Sequence, residues 1–371
     1  MKRLVVAVAL LAACRGGKAP RNKDAGPHGS ASAVSVVPKL PRTEDGVAAL
    51  AVLDQEIAKT TNLADSIAFR IERASIRGRV EDYQQALVDS GALVTQMPAS
   101  DKAWRLRVDA LMRVHQFTAA REAMKELAKH IHPSFLVEYE IGLADATGDV
   151  EKAIAGREQQ VKELPSATNL TLLAATLAQG GRTDEAIAMI PKAAAAVREN
   201  PPHLIAWLLF QWGRCYELKG ELAAARELFA ASHARLPGYL EATTHLADTM
   251  MKTGDTAGAK KLIDDALAAD KTSGLTPHPA LLELAAQLGH PELLATARTE
   301  WERYVTALPL AFSDHAARFY LGAGKNPSRA LELARMNLAN RNTRDARALV
   351  IEAALAAGDA AAACAAVDPL V

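Results

Sequence analysis

Trp212-Gly213-Arg214-Cys215-Tyr216-Glu217-Leu218-Lys219-Gly220-Glu221-Leu222-Ala223-Ala224-Ala225-Arg226-Glu227-Leu228-Phe229, closed by Pro237, decides how this chain folds. It reads as two short helices around a turn at Gly220. Trp212, Gly213 and Tyr216 share one face of the first helix, and Leu222, Ala225, Leu228 and Phe229 share one face of the second. Gly220 has no Cβ, so the chain can leave a helix there in a left-handed conformation. Pro237 ends the second helix, because it has no amide hydrogen to continue the ladder.

The same design recurs on both sides. A single alanine marks the second helix of each unit, at Ala86, Ala120, Ala153, Ala186, Ala225, Ala259, Ala295, Ala330 and Ala363, at intervals of 34, 33, 33, 39, 34, 36, 35 and 33 residues. A small residue lets the two helices of a unit cross closely, and a larger one would overpack the crossing. Gly148, Gly181, Gly220, Gly254 and Gly358 keep step at the turn, and Pro98, Pro133, Pro165, Pro201 and Pro237 fall between units.

The pattern G-x-x-Y…G-x-x-x-x-A-x-x-x-F…P is similar to the tetratricopeptide repeat, a 34-residue helix–turn–helix unit. The resemblance implies an all-α fold: an α-solenoid of about nine such units, wound as a right-handed superhelix over residues 66–371. Thr43 reads as the N-cap of a capping helix within 44–65 that covers the first apolar face of the array. Residues 66–271 hold six units, 272–279 form a Pro- and Gly-containing linker or hinge, and 280–371 hold three more, the first of them degenerate. The interval of 39 calls for a longer second helix near 193–199 or a longer loop at Asn200-Pro201-Pro202.

Composition agrees with stacked helices. Half the residues are hydrophobic, yet aromatics make up only 5%. No alternating β-branched run bounded by turns appears. The 43 basic and 43 acidic residues cancel, which excludes the basic excess expected of a general nucleic-acid surface.

The N-terminus carries an address. Lys2 and Arg3 precede the apolar run Leu4–Leu11. That run is too short for a bilayer, which needs about 20 residues, but suits a signal peptide. Leu11-Ala12-Ala13-Cys14 resembles a bacterial lipobox, which implies a signal peptide at 1–13, lipidation of Cys14 and a membrane anchor. The implied location is the bacterial cell envelope. Arg15, where relatives retained at the inner membrane often carry Asp, points to an outer-membrane protein facing the periplasm. Residues 14–43 are rich in Gly, Pro, Ala, Ser and basic residues and read as a flexible tether of about 30 Å.

Little chemistry is written into the chain. His130-x-His132 lacks a third ligand, and Gly322-Ala323-Gly324-Lys325 lacks the remaining residues of a phosphate loop. Cys215 and Cys364 read as core thiols four units apart, too far for a bridge. No metal, no cofactor and no catalytic residue is expected. The resemblance instead points to the concave groove lined by the first helices. Carried onto this chain, the groove positions give Arg105, Asp109, Met112, Tyr139, Thr171, Trp207, Phe210, Arg214, Glu217, Thr244, Asp248 and Met251, with His245 beside them, and Tyr139, Phe210 and Arg214 stand out as anchors. Aromatic and Arg side chains are common anchors at interfaces. Phe210 and Trp207 read equally well as packing between units.

The implied function is a lipid-anchored scaffold that binds a protein or peptide and assists assembly of an outer-membrane complex. Two other readings remain open: a peptidoglycan- or glycan-associated factor, and an enzyme whose site the sequence does not reveal.

Overall fold

The computed structural model describes residues 35–198 and 200–367. Residues 1–13, read as a signal peptide, and Cys14 lie outside the described residues.

Nineteen α-helices occupy the described residues. Helix α1 (Gly46–Lys59) stands alone. Nine pairs follow: α2 (Leu63–Arg77) with α3 (Val80–Gln96), α4 (Asp101–Arg113) with α5 (Phe117–Leu127), and α6 (Val137–Thr147) with α7 (Val150–Glu163). Next come α8 (Ala167–Gln179) with α9 (Thr183–Ala195), α10 (Pro202–Lys219) with α11 (Leu222–Arg235), and α12 (Leu240–Lys252) with α13 (Thr256–Thr272). Last are α14 (Pro279–Gln287) with α15 (Leu294–Ala307), α16 (Pro309–Leu321) with α17 (Pro327–Asn340), and α18 (Arg344–Ala356) with α19 (Ala360–Val367). The fold is an all-α solenoid of tandem helix–turn–helix repeats.

The alanine rule is a packing rule. Ala120, Ala153, Ala186, Ala225, Ala259, Ala330 and Ala363 are fully buried and Ala86 nearly so. In the seventh unit the buried residue is Ala297; Ala295 is exposed. The 3-10 turn Pro291–Leu293 that precedes α15 moves the packing position two residues along. The long interval has a different cause from a longer second helix. Helix α9 ends at Ala195, and the extra residues form a loop and an 18-residue α10 that Pro202 opens at its first position. Within that unit a Cβ on Gly213 would lie 2.5 Å from the Phe229 ring, so the glycine makes the space Phe229 fills. Burying such a ring contributes about 1.5–3 kcal/mol. Trp212 donates through Nε1 to the Thr171 hydroxyl (3.0 Å), tying this unit to the one before.

One residue per unit turns left-handed between the paired helices: Gly78, His115, Gly148, Gly181, Gly220, Gly254, Gly289, Lys325 and Gly358. His115 and Lys325 do this with a Cβ, at φ 57° and 45°.

The solenoid winds tightly enough that its second turn rests on its first. Gly78 faces the Leu240 and His278 side chains, and Gly148 faces the Asn342 carbonyl. His115 Nδ1–H donates to the Leu310 carbonyl (3.1 Å), and its own carbonyl accepts from Asn340 Nδ2 (3.0 Å). The Asn342 amide donates to Thr147 O (3.1 Å), and Arg344 Nη1 donates to Gly180 O (2.9 Å). Thus the turns of units one to four form a row on which units six to nine sit. Arg303 of α15 adds an ion pair to Glu81 of α3 (2.7 Å).

Three segments differ from the sequence expectation. Helix α1 is capped by Asp45, not Thr43, whose side chain accepts from the Val47 and Ala48 amides. It does more than cover the first unit: Leu50 and Leu53 share a core with Ile76, Phe210, Phe229 and Leu236. Arg73 joins Asp54 of α1 (2.8 Å) to the buried Asp82 of α3 (2.7 Å). Within the stretch read as a tether, residues 35–43 dock on the repeats. Ser35 Oγ donates to Glu227 (2.8 Å), Arg235 donates to Pro41 O (2.8 Å) and Asn200 donates to Arg42 O (2.9 Å). Between α13 and α14 the stretch read as a hinge is anchored by His278, which is buried edge-on against Trp301 and Tyr304 at 5.6 and 5.0 Å. Burial keeps this imidazole neutral, its pKa lowered to about 3.

Candidate functional site

Because the first helix of each unit faces inward, the closing of the coil turns the groove into a lumen. Its outer chamber, about 530 Å³, is lined by residues that include Glu72, Trp207, Phe210 and Tyr239. A deeper chamber of about 340 Å³ includes His115, Thr244, His245, His278 and Phe312. Ser75, Tyr83, Arg113 and Glu241 line both, so the chambers adjoin.

The residues expected in one groove fall into three places. Phe210 and Thr244 line the lumen. Phe210 is 5% exposed, within about 5.6 Å of Phe229, Tyr239 and His245, so packing takes up most of its ring. The Thr244 hydroxyl donates back to Leu240 O (3.0 Å). Arg214 and Asp248 are held in ion pairs, with Glu217 and Lys252 respectively. His245 Nδ1 also meets Glu217 (3.1 Å). Burial pushes the Glu217 carboxyl up, but His245 and Arg214 together outweigh it and hold the carboxyl down at about 2.

Arg105, Asp109 and Tyr139 do come together, at the rim between the second and third units. Desolvation pushes the Asp109 carboxyl up, and Arg113 and the hydrogen bond from Tyr139 oppose it. Burial, together with the Asp109 charge, pushes the Tyr139 phenol up to about 12. The Arg105 guanidinium lies over the Phe135 ring at 5.4 Å, a cation–π contact. Phe135 is 58% exposed and Val137 43%. Arg105, Phe135, Val137 and Tyr139, together with Lys152 and Gln160, line a cleft of about 760 Å³. Sequence reasoning missed Phe135 because Pro133 marked the stretch only as a break. Pro133–Phe135 is a 3-10 turn capped by His132, whose Nδ1 accepts from the Ser134 amide (3.3 Å). An exposed Phe directly before an apolar helix start was the available signal.

Cys215 is a buried free thiol whose Sγ–H points to the Ala174 carbonyl (3.8 Å), so it forms no bridge to Cys364. Burial pushes it up to about 12, which suppresses its reactivity. Among the described residues no group of three or more His, Cys, Asp or Glu side chains is placed to hold a metal ion. No described helix is long and apolar enough to cross a membrane.

Residues 165–237 and 217–288 match two sequence models of the tetratricopeptide repeat. Residues 165–288 are tetratricopeptide repeats. The matched residues span α8 to α14, and the same helix pairing continues on either side of them. Such repeats form interaction scaffolds, and the matched stretch supports a scaffold role in protein–protein interaction. No curated protein matches the chain. Among solved structures it is similar to the APC/C hetero-tetramer Cut9–Hcn1, at 15% identity over 82% of this chain and 59% of that one, with a TM-score of 0.48. It is similar to yeast Tom70 at 16% identity over 84% and 67% of the two chains, with a TM-score of 0.44. A tetratricopeptide repeat protein from Parabacteroides merdae matches at 14% identity over 74% and 99%, with a TM-score of 0.42. The chain spans 59% of the length of the first of these structures.

Proposed function

We propose that this protein is a lipid-anchored tetratricopeptide scaffold of the bacterial cell envelope that binds an extended or helical protein segment and assists assembly of an outer-membrane complex. The observation that carries the binding reading is the rim: an exposed Phe135 ring, the Arg105 guanidinium above it and Tyr139 beside it, around a cleft of about 760 Å³. Aromatic and Arg side chains in one cleft are the residue types that anchor interfaces. The rim is preformed, so little ordering is charged to the scaffold on binding. The lipid-anchored, outer-membrane part rests on Lys2-Arg3, the short apolar run and Leu11-Ala12-Ala13-Cys14.

Capture from detergent-solubilised envelope tests the rim, with wild-type protein beside an Arg105→Ala, Phe135→Ala, Tyr139→Ala triple variant of equal helicity and melting point. A partner held by the wild type and lost by the variant supports the reading; equal capture by both overturns it. Metabolic labelling with a fatty-acid analogue tests the anchor. Label on the wild type that is absent from Cys14→Ser supports lipidation, and an unlabelled wild type sinks it.

A further inference from the structure

The lumen contains two opposite charges that do not satisfy each other. Arg113, at the end of α4, lines both chambers and is exposed to the space inside them. It makes no direct ion pair or hydrogen bond with any other described residue, and the opposite charge it acts on is Asp109, one helical turn back, whose carboxyl it pulls down. Glu241, at the start of α12, lines the same two chambers and is half-exposed. Among the described residues its carboxylate meets only the His245 ring, at 3.8 Å. Tyr83 lines both chambers, Phe312 and Ala311 lie at the deep end beside the imidazoles of His115, His278 and His315, and Tyr239 lies at the outer end. Tyr83 and Tyr239 both feel the charges of Arg113 and Glu241, which places all four side chains around one space.

An unpaired guanidinium is a fork that fits a carboxylate, and an unpaired carboxylate accepts from an ammonium. A ligand bearing both groups would satisfy the two residues at once, whereas a simple anion or cation would leave one of them unmatched. A chamber of about 340 Å³ is of the size that encloses a small organic molecule. From these observations we infer that the lumen binds a free α-amino acid with a large apolar or aromatic side chain, its carboxylate on Arg113, its ammonium on Glu241 and its side chain toward Phe312. This site goes beyond the rim reading and shares no residue with it.

The test is calorimetric titration of the full chain with L-phenylalanine, then with the other standard amino acids. N-acetyl-L-phenylalanine, which lacks the ammonium, and L-phenylalaninamide, which lacks the carboxylate, serve as the blocked forms. Binding by at least one large apolar amino acid is expected, with its blocked forms at least tenfold weaker. Arg113→Gln should erase the preference for a free carboxylate, and Glu241→Gln the preference for a free ammonium. Both variants are first shown to melt as the wild type does. Should Arg113→Gln melt early, Arg113→Lys replaces it, keeping the charge but losing the fork, with several-fold weaker binding expected. No binding by any amino acid, blocked forms that bind as well as free ones, or binding unchanged in both variants would each overturn the site.

Discussion

The turns of units one to four and the turns of units five, six and nine use the same left-handed residue for two different ends. At Gly220, Gly254 and Gly358 nothing lies within 4 Å of where a Cβ would be. These glycines serve only the local reversal between two helices. At Gly148 and Gly181 a Cβ would stand 2.2 Å from the Asn342 carbonyl oxygen and from Arg344 Nη1. There the missing side chain serves the reversal and also admits the next turn of the coil. One sequence signal therefore conceals two roles, and only the three-dimensional path separates them.

The sharpest way to break this comparison is to add one methyl group at each kind of turn. Gly148→Ala carries a left-handed penalty of about 1–2 kcal/mol and an overpacking cost of about 1–3 kcal/mol against backbone that cannot swing aside. Gly220→Ala carries the first cost alone, about 1–2 kcal/mol. Urea denaturation of the two variants should show Gly148→Ala clearly less stable, and equal losses would dissolve the distinction.

Acid should act on the same seam. Burial, reinforced by Arg341, lowers the His115 pKa to about 4, although Asp314 and the Leu310 carbonyl pull the other way. The unfolded imidazole titrates near 6.5, so between about 6.5 and 4 the unfolded chain holds the extra proton. Stability is full above 6.5 and is lost as pH falls to about 4, by about 3 kcal/mol for this residue. His115→Asn keeps a side chain that tolerates the left-handed turn but removes the titration. Denaturation between pH 7 and 4 should show a shallower loss in that variant, and parallel curves would remove His115 from the seam's account.

Smaller effects sharpen the picture. Arg344→Ala removes the exposed donor to the Gly180 carbonyl and should cost about 1 kcal/mol in the same assay. Lys325→Gly relieves a left-handed residue at an exposed turn and should stabilise by about 1 kcal/mol. A loss of stability there would mean that the Lys325 side chain contributes something the turn geometry does not reveal.

The repeat architecture was legible because it is local. Each buried alanine and each turn glycine answers to its own pair of helices, so spacing alone located eight of the nine alanines, and a 3-10 turn hid the ninth at Ala297. The closing of the coil was not legible. Its contacts join residues such as His115 and Leu310, or Gly180 and Arg344, often through backbone carbonyls that every residue carries. The candidate sites inherited that blindness. Phe210 reads equally as a groove anchor and as packing between units, and the docking of α1 and of the second turn makes most of its ring part of the core. The cluster of Arg105, Asp109 and Tyr139 was legible because neighbouring first helices bring such residues together, whereas Phe135 sits in a turn that the helical pattern does not describe.

Helix α1 adds a second lock to a coil whose second turn already rests on its first. A linear stack, in which each unit touches only its neighbours, can fray from either end and lose units one by one. Here Leu50 and Leu53 bind the first unit to the fifth and sixth, so opening the N-terminal end also uncovers the middle of the chain. The protein should therefore melt as a globular domain does, in one concerted transition, and deleting residues 35–59 should lower its midpoint.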